Sequence, residues 1–562
     1  MKYANWKVPT AGPAIPRSLT DAGCSPLLAA ILSRRGMEEA AQALAFLRGG
    51  AEQLSDPLEL TDMISAVQRL SRAIATGEHV AVYGDYDVDG ITAACLLSDY
   101  LRGRGLECET YIPDRLAEGY GLNTAAIDEI ADRGVTLIVT VDCGVTNIEE
   151  TEYAARRGID MIVTDHHECQ EALPEAEAVV DPKRPDSSGA GTCLAGVGVA
   201  FKLVCAMDGD AGKMLERYGD LVAVGTVADV MPLLEENRYI TGYGLTMINS
   251  GRCRPGFRAL IREAGVGDKR LTASTIGYSL APRINAAGRL GKTRLAVRLL
   301  ETSDRREAEA LAAELCSQNR QRQELELSIW KEAVELLGDR RPDTPIVLAG
   351  ENWHPGVIGI VASRLTDAYG VPAVMICLDG ENGKGSCRSI GSFNLYEALS
   401  ECSDCLEGFG GHAMAAGITI RSDMVDDLRR KLGVYYLAHP DSSVSALEAE
   451  LRVDDAELLS MECVESLDLL EPCGNGNPRP LLYLDGAVLE QVTPIGGGKH
   501  LRLRVSSLGE SFDCVFFSQT AEALGARAGQ TVDLIFVPQI NEFRSRRSVQ
   551  LVVTDLRPHQ NH

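Results

Sequence analysis

The chain has 562 residues, 45% hydrophobic and 24% charged, which excludes a disordered chain, a fibre and a small disulfide scaffold. At roughly 100–200 residues per domain this length suggests about three to four domains. Its 55 Lys and Arg against 80 Asp and Glu give a formal net charge of −25. Such a surface repels a polyanion; that argues against a coat for nucleic acid, but not against an enzyme that neutralises its acids with metal ions.

No apolar run approaches the roughly 20 residues that span a bilayer. The opening MKYANWKVPTAGPAIP has no apolar stretch of the secretory kind, so no membrane attachment and a cytoplasmic location are expected. The 16 cysteines are scattered, several in apolar runs, such as Cys95, Cys205 and Cys377, and read as reduced, buried thiols. Cys402 and Cys405 have CxxC spacing, but no second pair exists to complete a zinc site; a surface turn is expected there.

From 79 to 181 one pattern repeats: an apolar, β-branched run leads into polar residues and then a helical stretch. His79–Tyr83 runs into GDYDVDG, Thr136–Val141 into Asp142, Asp160–Val163 into TDHH, and Ala178–Val180 into DPK. Strands alternating with helices predict βαβ units and a parallel sheet, whose ligands bind beyond the carboxyl ends of the strands. Every one of these polar groups falls at such an end. Residues 303–338 predict one long helix, with its only Gly at the end, Gly338. A second α/β block follows over about 341–440, with Pro345–Leu348, PAVMICL and AGITI as strands. The last stretch predicts five short strands, Leu481–Leu489, His500–Val505, Ser511–Phe517, Val532–Val537 and Ser548–Val553, which suit a small OB-type barrel. From 491 to 562 there are eight Lys and Arg against six Asp and Glu.

Asp85, Asp87 and Asp89 stand at alternate positions after a strand. An EF-hand needs a preceding helix and a Glu at the twelfth position; here a strand precedes and that position is Leu96. A single Asp at a strand end is as often a helix cap. Four strand or loop ends that deliver Asp85, Asp87, Asp89, Asp142, Asp165, His166, His167 and Asp229 to one edge are not explained as caps. Carboxylates so close cannot all ionise without a counter-charge, which two divalent cations would supply. Mixed carboxylate and imidazole donors favour Mn²⁺ over Mg²⁺, and a two-metal clamp is the standard apparatus for displacement at phosphorus. The residues themselves therefore suggest phosphoester hydrolysis.

D-Y-D-V-D-G, V-D-C-G and T-D-H-H, in this order, resemble the DHH phosphoesterase superfamily. GGHAMAAG (410–417) resembles the glycine–histidine motif of the DHH-associated domain. APRINAAGR (281–289), WHPGVIGIVASR (353–364), GSCRS (385–389) and PCGNGNPRP (472–480) narrow the resemblance to the bacterial single-strand-specific exonucleases of that superfamily, over about 60 to 560. The resemblance implies an α/β protein: an N-terminal segment (1–60), a catalytic DHH lobe with a parallel sheet (61–300), a connecting long helix (301–340), a second α/β DHH-associated lobe (341–445) and a five-stranded OB-fold barrel (446–562). It implies a 5′-to-3′ exonuclease that hydrolyses single-stranded DNA to mononucleotides in recombination and repair, using two Mn²⁺ or Mg²⁺ ions. Asp85, Asp87, Asp89, Asp142, His166 and Asp229 are then metal ligands or their immediate supports. Asp142 is also counted as catalytic, together with His167, which stands as an acid–base or supporting group near the scissile phosphate. A single-strand-binding protein and a helicase are the implied partners, and the chain is expected to be a monomer.

Arg115, Arg289, Ser386 and Arg388 are expected to form a pocket for the 5′-terminal phosphate, because guanidinium and hydroxyl groups suit a phosphate oxygen pair. Arg283, Asn285, Gly411 and His412 are further candidates for substrate binding. Taken singly, each arginine could be a surface ion pair and Gly410-Gly411-His412 a tight turn. In the tail, Phe516, Phe517 and Phe543, with Arg544, Arg546 and Arg547, suit base stacking and backbone attraction, although some of these rings must be core. A DHH enzyme for short oligonucleotides, cyclic dinucleotides or pyrophosphate would share the metal site without needing the barrel. An inactive DHH scaffold would have lost ligands that this chain keeps.

Overall fold

The computed structural model describes residues 5–119, 121–338, 342–439, 446–543 and 546–559; Arg544 and the Phe543 side chain lie outside the described residues. The chain forms two compact units. One comprises Ser55–Met231 and Ile240–Ser443, the other Met1–Leu54, Pro232–Tyr239 and Val444–His562.

The first unit is built on two sheets. Strands β1 (His79–Gly84), β2 (Glu107–Tyr111), β3 (Leu137–Val141), β4 (Asp160–Thr164) and β5 (Ala178–Val180) are all parallel, in the order β2-β1-β3-β4-β5. β3 is buried throughout, as expected where helices cover both faces. Its neighbour in sequence, β2, ECETY, is an edge strand with too little apolar patterning to be read from sequence. Helix α1 (Val88–Gly103) follows β1, and α2 (Gly196–Asp208) and α3 (Ala211–Ala228) pack against it. After a π-helical turn at Ile276–Leu280 comes α4 (Ala281–Arg289), and then α5 (Arg305–Leu337), 33 residues long and capped by the Asp304 side chain.

The near half of α5 packs on α4 and neighbouring helices. Ile329 and Ala333, in its far half, join the core of the second sheet. That sheet contains β6 (Ile346–Glu351), β7 (Ala373–Asp379), β8 (Asn382–Arg388), β9 (Gly408–Gly411) and β10 (Ala415–Arg421), ordered β9-β10-β8-β7-β6; only β6 and β7 are parallel. Helix α6 (Pro355–Tyr369) packs on β7 and β8. Cys402 and Cys405 join a separate core cluster on this sheet, 1% and 3% exposed, while Ser403 and Asp404 between them are exposed, so the turn lies at the surface with its thiols buried.

In the second unit, β11 (Leu482–Ile495), β12 (His500–Ser507), β13 (Glu510–Phe516), β14 (Thr531–Phe543) and β15 (Arg546–Pro558) close into a barrel. Its β13 and β15 run parallel, and β11 pairs with β14 to close the ring. Leu501, Leu503 and Val505 point inward while Arg502 and Arg504 point outward. The helix Pro26–Arg34 contributes Leu27, Leu28, Ile31 and Leu32 to the same core as the barrel. Phe516 is core, Phe517 is about half exposed, and Arg547 pairs with Glu465.

Candidate metal centre and phosphate pocket

Strand register builds the first part of the site. Gly84 lies opposite Val141, Val141 opposite Thr164, and Thr164 opposite Val180. The next residue on each strand is therefore Asp85, Asp142, Asp165 or Asp181, a row of carboxylates along one sheet edge. Strand order 2-1-3-4-5 places the topological switch between β1 and β3, where open α/β sheets bind ligands; Asp85 and Asp142 stand there. The turn after β1 adds Asp87, whose side chain caps α1 through the Gly90 amide, and Asp89 in the first turn. Asp229 arrives from the C-terminus of α3.

His166 Nε2 lies 3.1 Å from Asp142 Oδ1, 3.6 Å from Asp229 Oδ2 and 3.9 Å from Asp89 Oδ2. Ligand atoms of Asp85, Asp87 and Asp142 come within 4.8 Å of one another, and so do those of Asp89, His166 and Asp229, and of Asp142, His166 and His167. Burial, followed by the charges of neighbouring carboxylates, pushes Asp85, Asp89 and Asp142 well above the ordinary carboxylate range and Asp229 up to about 7. Burial, with the His167 charge, pulls His166 down to about 4, which leaves the neutral imidazole that a metal needs. Asp85 Oδ1, Asp142 Oδ1 and both His166 ring nitrogens are buried without a hydrogen-bond partner. Buried polar atoms normally have partners. Orphaned oxygens and nitrogens converging at coordination spacing fit two divalent cations.

Asp165 performs a different task. Burial alone would raise it, but the His167 ring at 2.7 Å and the amides of Val145 and His166 hold it below its ordinary value. The same bond outweighs the burial of His167 and lifts it to about 9, so the ring is protonated at neutral pH with Nδ1 fixed on Asp165. Asp181, not singled out from the sequence, is buried at the end of β5 and pushed up to about 7 by burial.

A cavity of about 830 Å³ opens beside the metal-binding turn. Tyr86, Arg115 and Leu116 line it from the first sheet's side, Ser386, Arg388 and Gly411 from the second. Arg115 stacks over the Tyr86 ring at 4.8 Å, and Arg388 donates to Ser386 Oγ at 3.1 Å. Arg289 donates to the Gly356 carbonyl. Its burial, then the charges of Arg115, Arg322 and Arg388, lower its pKa to about 10. Arg115 and Arg388 line the cavity, whereas Arg289 and Arg322 lie close by without lining it, and Arg322 pairs with Glu326. Arg322 was not singled out from the sequence; the available signal was a polar pair, Asn319 and Arg322, on the buried face of α5.

Ser386 and Arg388 lie in strand β8, and Gly410 and Gly411 in edge strand β9 rather than in a tight turn. His412 is exposed and does not line this cavity. Arg283 donates to the Ser279 carbonyl and lies against Cys316, and neither it nor Asn285 lines the cavity.

A sheet-edge row of acids and histidines facing an arginine-lined groove defines a metal-dependent phosphoesterase of the DHH class. The sequence matches the DHH family N-terminal domain over 79–226, the DHHA1 domain over 343–435 and the RecJ OB domain over 448–555. It is 39% identical to the single-stranded-DNA-specific exonuclease RecJ of Bacillus subtilis, covering 94% of this chain and 68% of that one. It is 36% identical to the RecJ of Dickeya dadantii, covering 98% of each. The crystal structure of RecJ from Thermus thermophilus in complex with Mn²⁺ superposes with a TM-score of 0.85 at 31% identity, covering 99% of this chain and 80% of that one; the Mg²⁺ complex gives 0.79. The chain belongs to the RecJ family.

Proposed function

We propose that the protein is a single-stranded-DNA-specific exonuclease that works from the 5′ end and releases mononucleotides in DNA recombination and repair. The observation that carries this reading is the adjacency of two sites: an arginine-lined cavity sized for a terminal nucleotide, directly beside a carboxylate–imidazole cluster. Asp85, Asp87 and Asp142 would hold one ion, and Asp89, His166 and Asp229 the other. Bound Mn²⁺ or Mg²⁺ supplies an acidified water and neutralises charge on the non-bridging phosphate oxygens.

The chain's own groups do the rest. Arg115, Arg289, Arg322 and Arg388, with Ser386, seat the 5′-phosphate and stop the strand with its next phosphodiester at the metals. Asp165 fixes Nδ1 of protonated His167, and Nε2 is the ring nitrogen that donates a proton to the departing 3′-oxygen. The barrel, over 446–562, grips the strand downstream, while 61–300 carries the chemistry and 341–445 the far wall of the groove. A helicase and a single-strand-binding protein would present the substrate to a cytoplasmic monomer. No helix among the described residues is long and apolar enough to cross a membrane.

The test is Mn²⁺-dependent release of nucleotides from a long single strand blocked at either end, from a duplex and from a dinucleotide. The reading expects mononucleotides from the unblocked 5′ end of the single strand. Preference for the dinucleotide would instead make this a small-substrate enzyme of the class.

A further inference from the structure

Pro282 is the second residue of α4. It has no N–H to donate to the carbonyl four residues back, that of Tyr278, and its ring would crowd that carbonyl. The chain answers with the π-helical turn Ile276–Leu280, a widened turn often found at functional sites. Ile276 and Leu280 are fully buried, whereas Tyr278 between them is 85% exposed, more than any other large apolar side chain among the described residues. A lone exposed ring is ordinary on a protein surface, so a functional reason for this one has to come from its place.

Its place relative to the metal cluster suggests one. The π turn packs against α3, the helix that ends at Asp229. At the other end of α4, Gly288 sits so close to the metal-binding turn that a Cβ there would lie 2.6 Å from the Tyr86 carbonyl oxygen. The segment 276–289 therefore spans the mouth of the site. Arg289 and the phosphate cavity lie at one end, the carboxylates beside it, and Tyr278 at the other end. Val230, next to Asp229, adds a second apolar side chain on that lip, 66% exposed and held at a φ of 59°. A strand anchored by its 5′-phosphate in the cavity and crossing the metals leaves toward Tyr278.

We propose that Tyr278 stacks on a base of the strand on the 3′ side of the scissile phosphate and so selects unpaired DNA. Base–aromatic stacking tolerates any sequence, because every base has a π face. A base already stacked and paired in a duplex has no face to give. The proposal rests on the exonuclease reading above.

The test uses 5′-phosphorylated oligonucleotides with one abasic site at each of the second to fifth positions, and wild type, Tyr278→Ala and Tyr278→Phe. In wild type, kcat/KM should fall about five- to a hundredfold at one position. Tyr278→Ala should carry that loss on the intact strand and show no further drop at that position, while Tyr278→Phe should behave as wild type. With EDTA present, 2-aminopurine at that position should be quenched by wild type and by Tyr278→Phe but not by Tyr278→Ala. An abasic profile and quenching in Tyr278→Ala identical to wild type would overturn the assignment while leaving the exonuclease reading intact. A wild type that releases no nucleotide from any single strand would overturn both.

Discussion

The carboxylate of Asp89 accepts the amide of Gly196 at 2.7 Å, and its other oxygen accepts that of Val197 at 2.8 Å. The start of α2 thus fixes a candidate ligand while its own orphan amides are satisfied. Gly196 also faces Asp142, where an added Cβ would fall 2.4 Å from the Asp142 Cβ and 2.6 Å from its Oδ1. Gly196→Ala should push Asp142 out of position and lower activity by about a hundredfold. Mn²⁺ titration by calorimetry should show weakened binding. Unchanged affinity and turnover would place Asp142 outside the metal set.

Asp142→Asn should separate charge from fold. Without metal, the variant should melt at a higher temperature than wild type, because one member of a mutually repelling buried cluster is neutral. In wild type, Mn²⁺ at a hundred times its dissociation constant should add about 2.7 kcal/mol per ion; the variant should lose much of that gain. Its cleavage rate should fall at least about a hundredfold. Thermal melts with and without EDTA check both halves, and an Mn²⁺ shift equal to wild type would sink the ligand assignment.

Away from the site, Arg69 is 4% exposed and binds Glu78 at 2.7 Å and Asp160 at 2.8 Å. The Arg69 bonds draw Glu78 below its ordinary value in spite of its burial. A depressed folded-state pKa adds stability that is present above the unfolded value and lost as pH falls through the folded one. Glu78→Gln should therefore cost about 1.5–3 kcal/mol near neutrality. The gap to wild type should close below about pH 4. Denaturant midpoints measured across that range test the sign; a gap that widens in acid would contradict it.

The sequence carried the metal site further than the groove. Asp85 and Asp142 directly follow the last residue of a strand and His166 comes one residue later, and a strand end is legible as a change from β-branched to polar residues. Their convergence needed only a parallel sheet. Asp165 was visible as part of T-D-H-H, but its role as the acceptor for His167 depends on a ring orientation that spacing does not encode. Arg322 was hidden because a charged residue on a long helix usually faces water. Strands β8 and β9 were hidden because GKGSCR and GFGG carry little apolar patterning; β9 is formed by pairing with β10 rather than by its own propensity.

The barrel's role in gripping DNA is better tested by charge than by truncation. Deleting 446–562 would also uncover Leu27, Leu28, Ile31 and Leu32, which share the barrel's core. Arg502 and Arg504 stand on an outer face with Gln491 and Thr493, around a hollow of about 350 Å³. Asp513 and Glu490 balance them only at 3.2–4.0 Å and in exposed positions. Arg502→Ala and Arg504→Ala should each weaken binding to long strands and lower the slope of log affinity against log salt by about one. A slope unchanged in the double variant would mean that DNA does not cross this face.

End recognition makes the sharpest demand on the groove. Arg388 sits on a strand backed by α6, where Gly359 leaves room for it: a Cβ there would lie 3.1 Å from an Arg388 guanidinium nitrogen. Burial, then the Arg115 charge, lowers its pKa, which marks a cation held without a nearby acid. A dianionic 5′-phosphate would relieve that repulsion and accept from Arg388, Ser386 and Arg115 at once. Each charge-assisted bond is worth about 1.5–3 kcal/mol, or roughly ten- to a hundredfold in affinity. Arg388→Ala should therefore raise KM on 5′-phosphorylated strands by about that factor, while 5′-hydroxyl strands, which lack the group, lose little. Arg322→Met should act in the same direction but more weakly, because Glu326 and Asn319 already engage its guanidinium. The measurement is kcat/KM on both substrates for wild type and each variant. A preference for the phosphorylated end that survives Arg388→Ala intact would place the 5′-terminus elsewhere and remove the cavity from the reaction path.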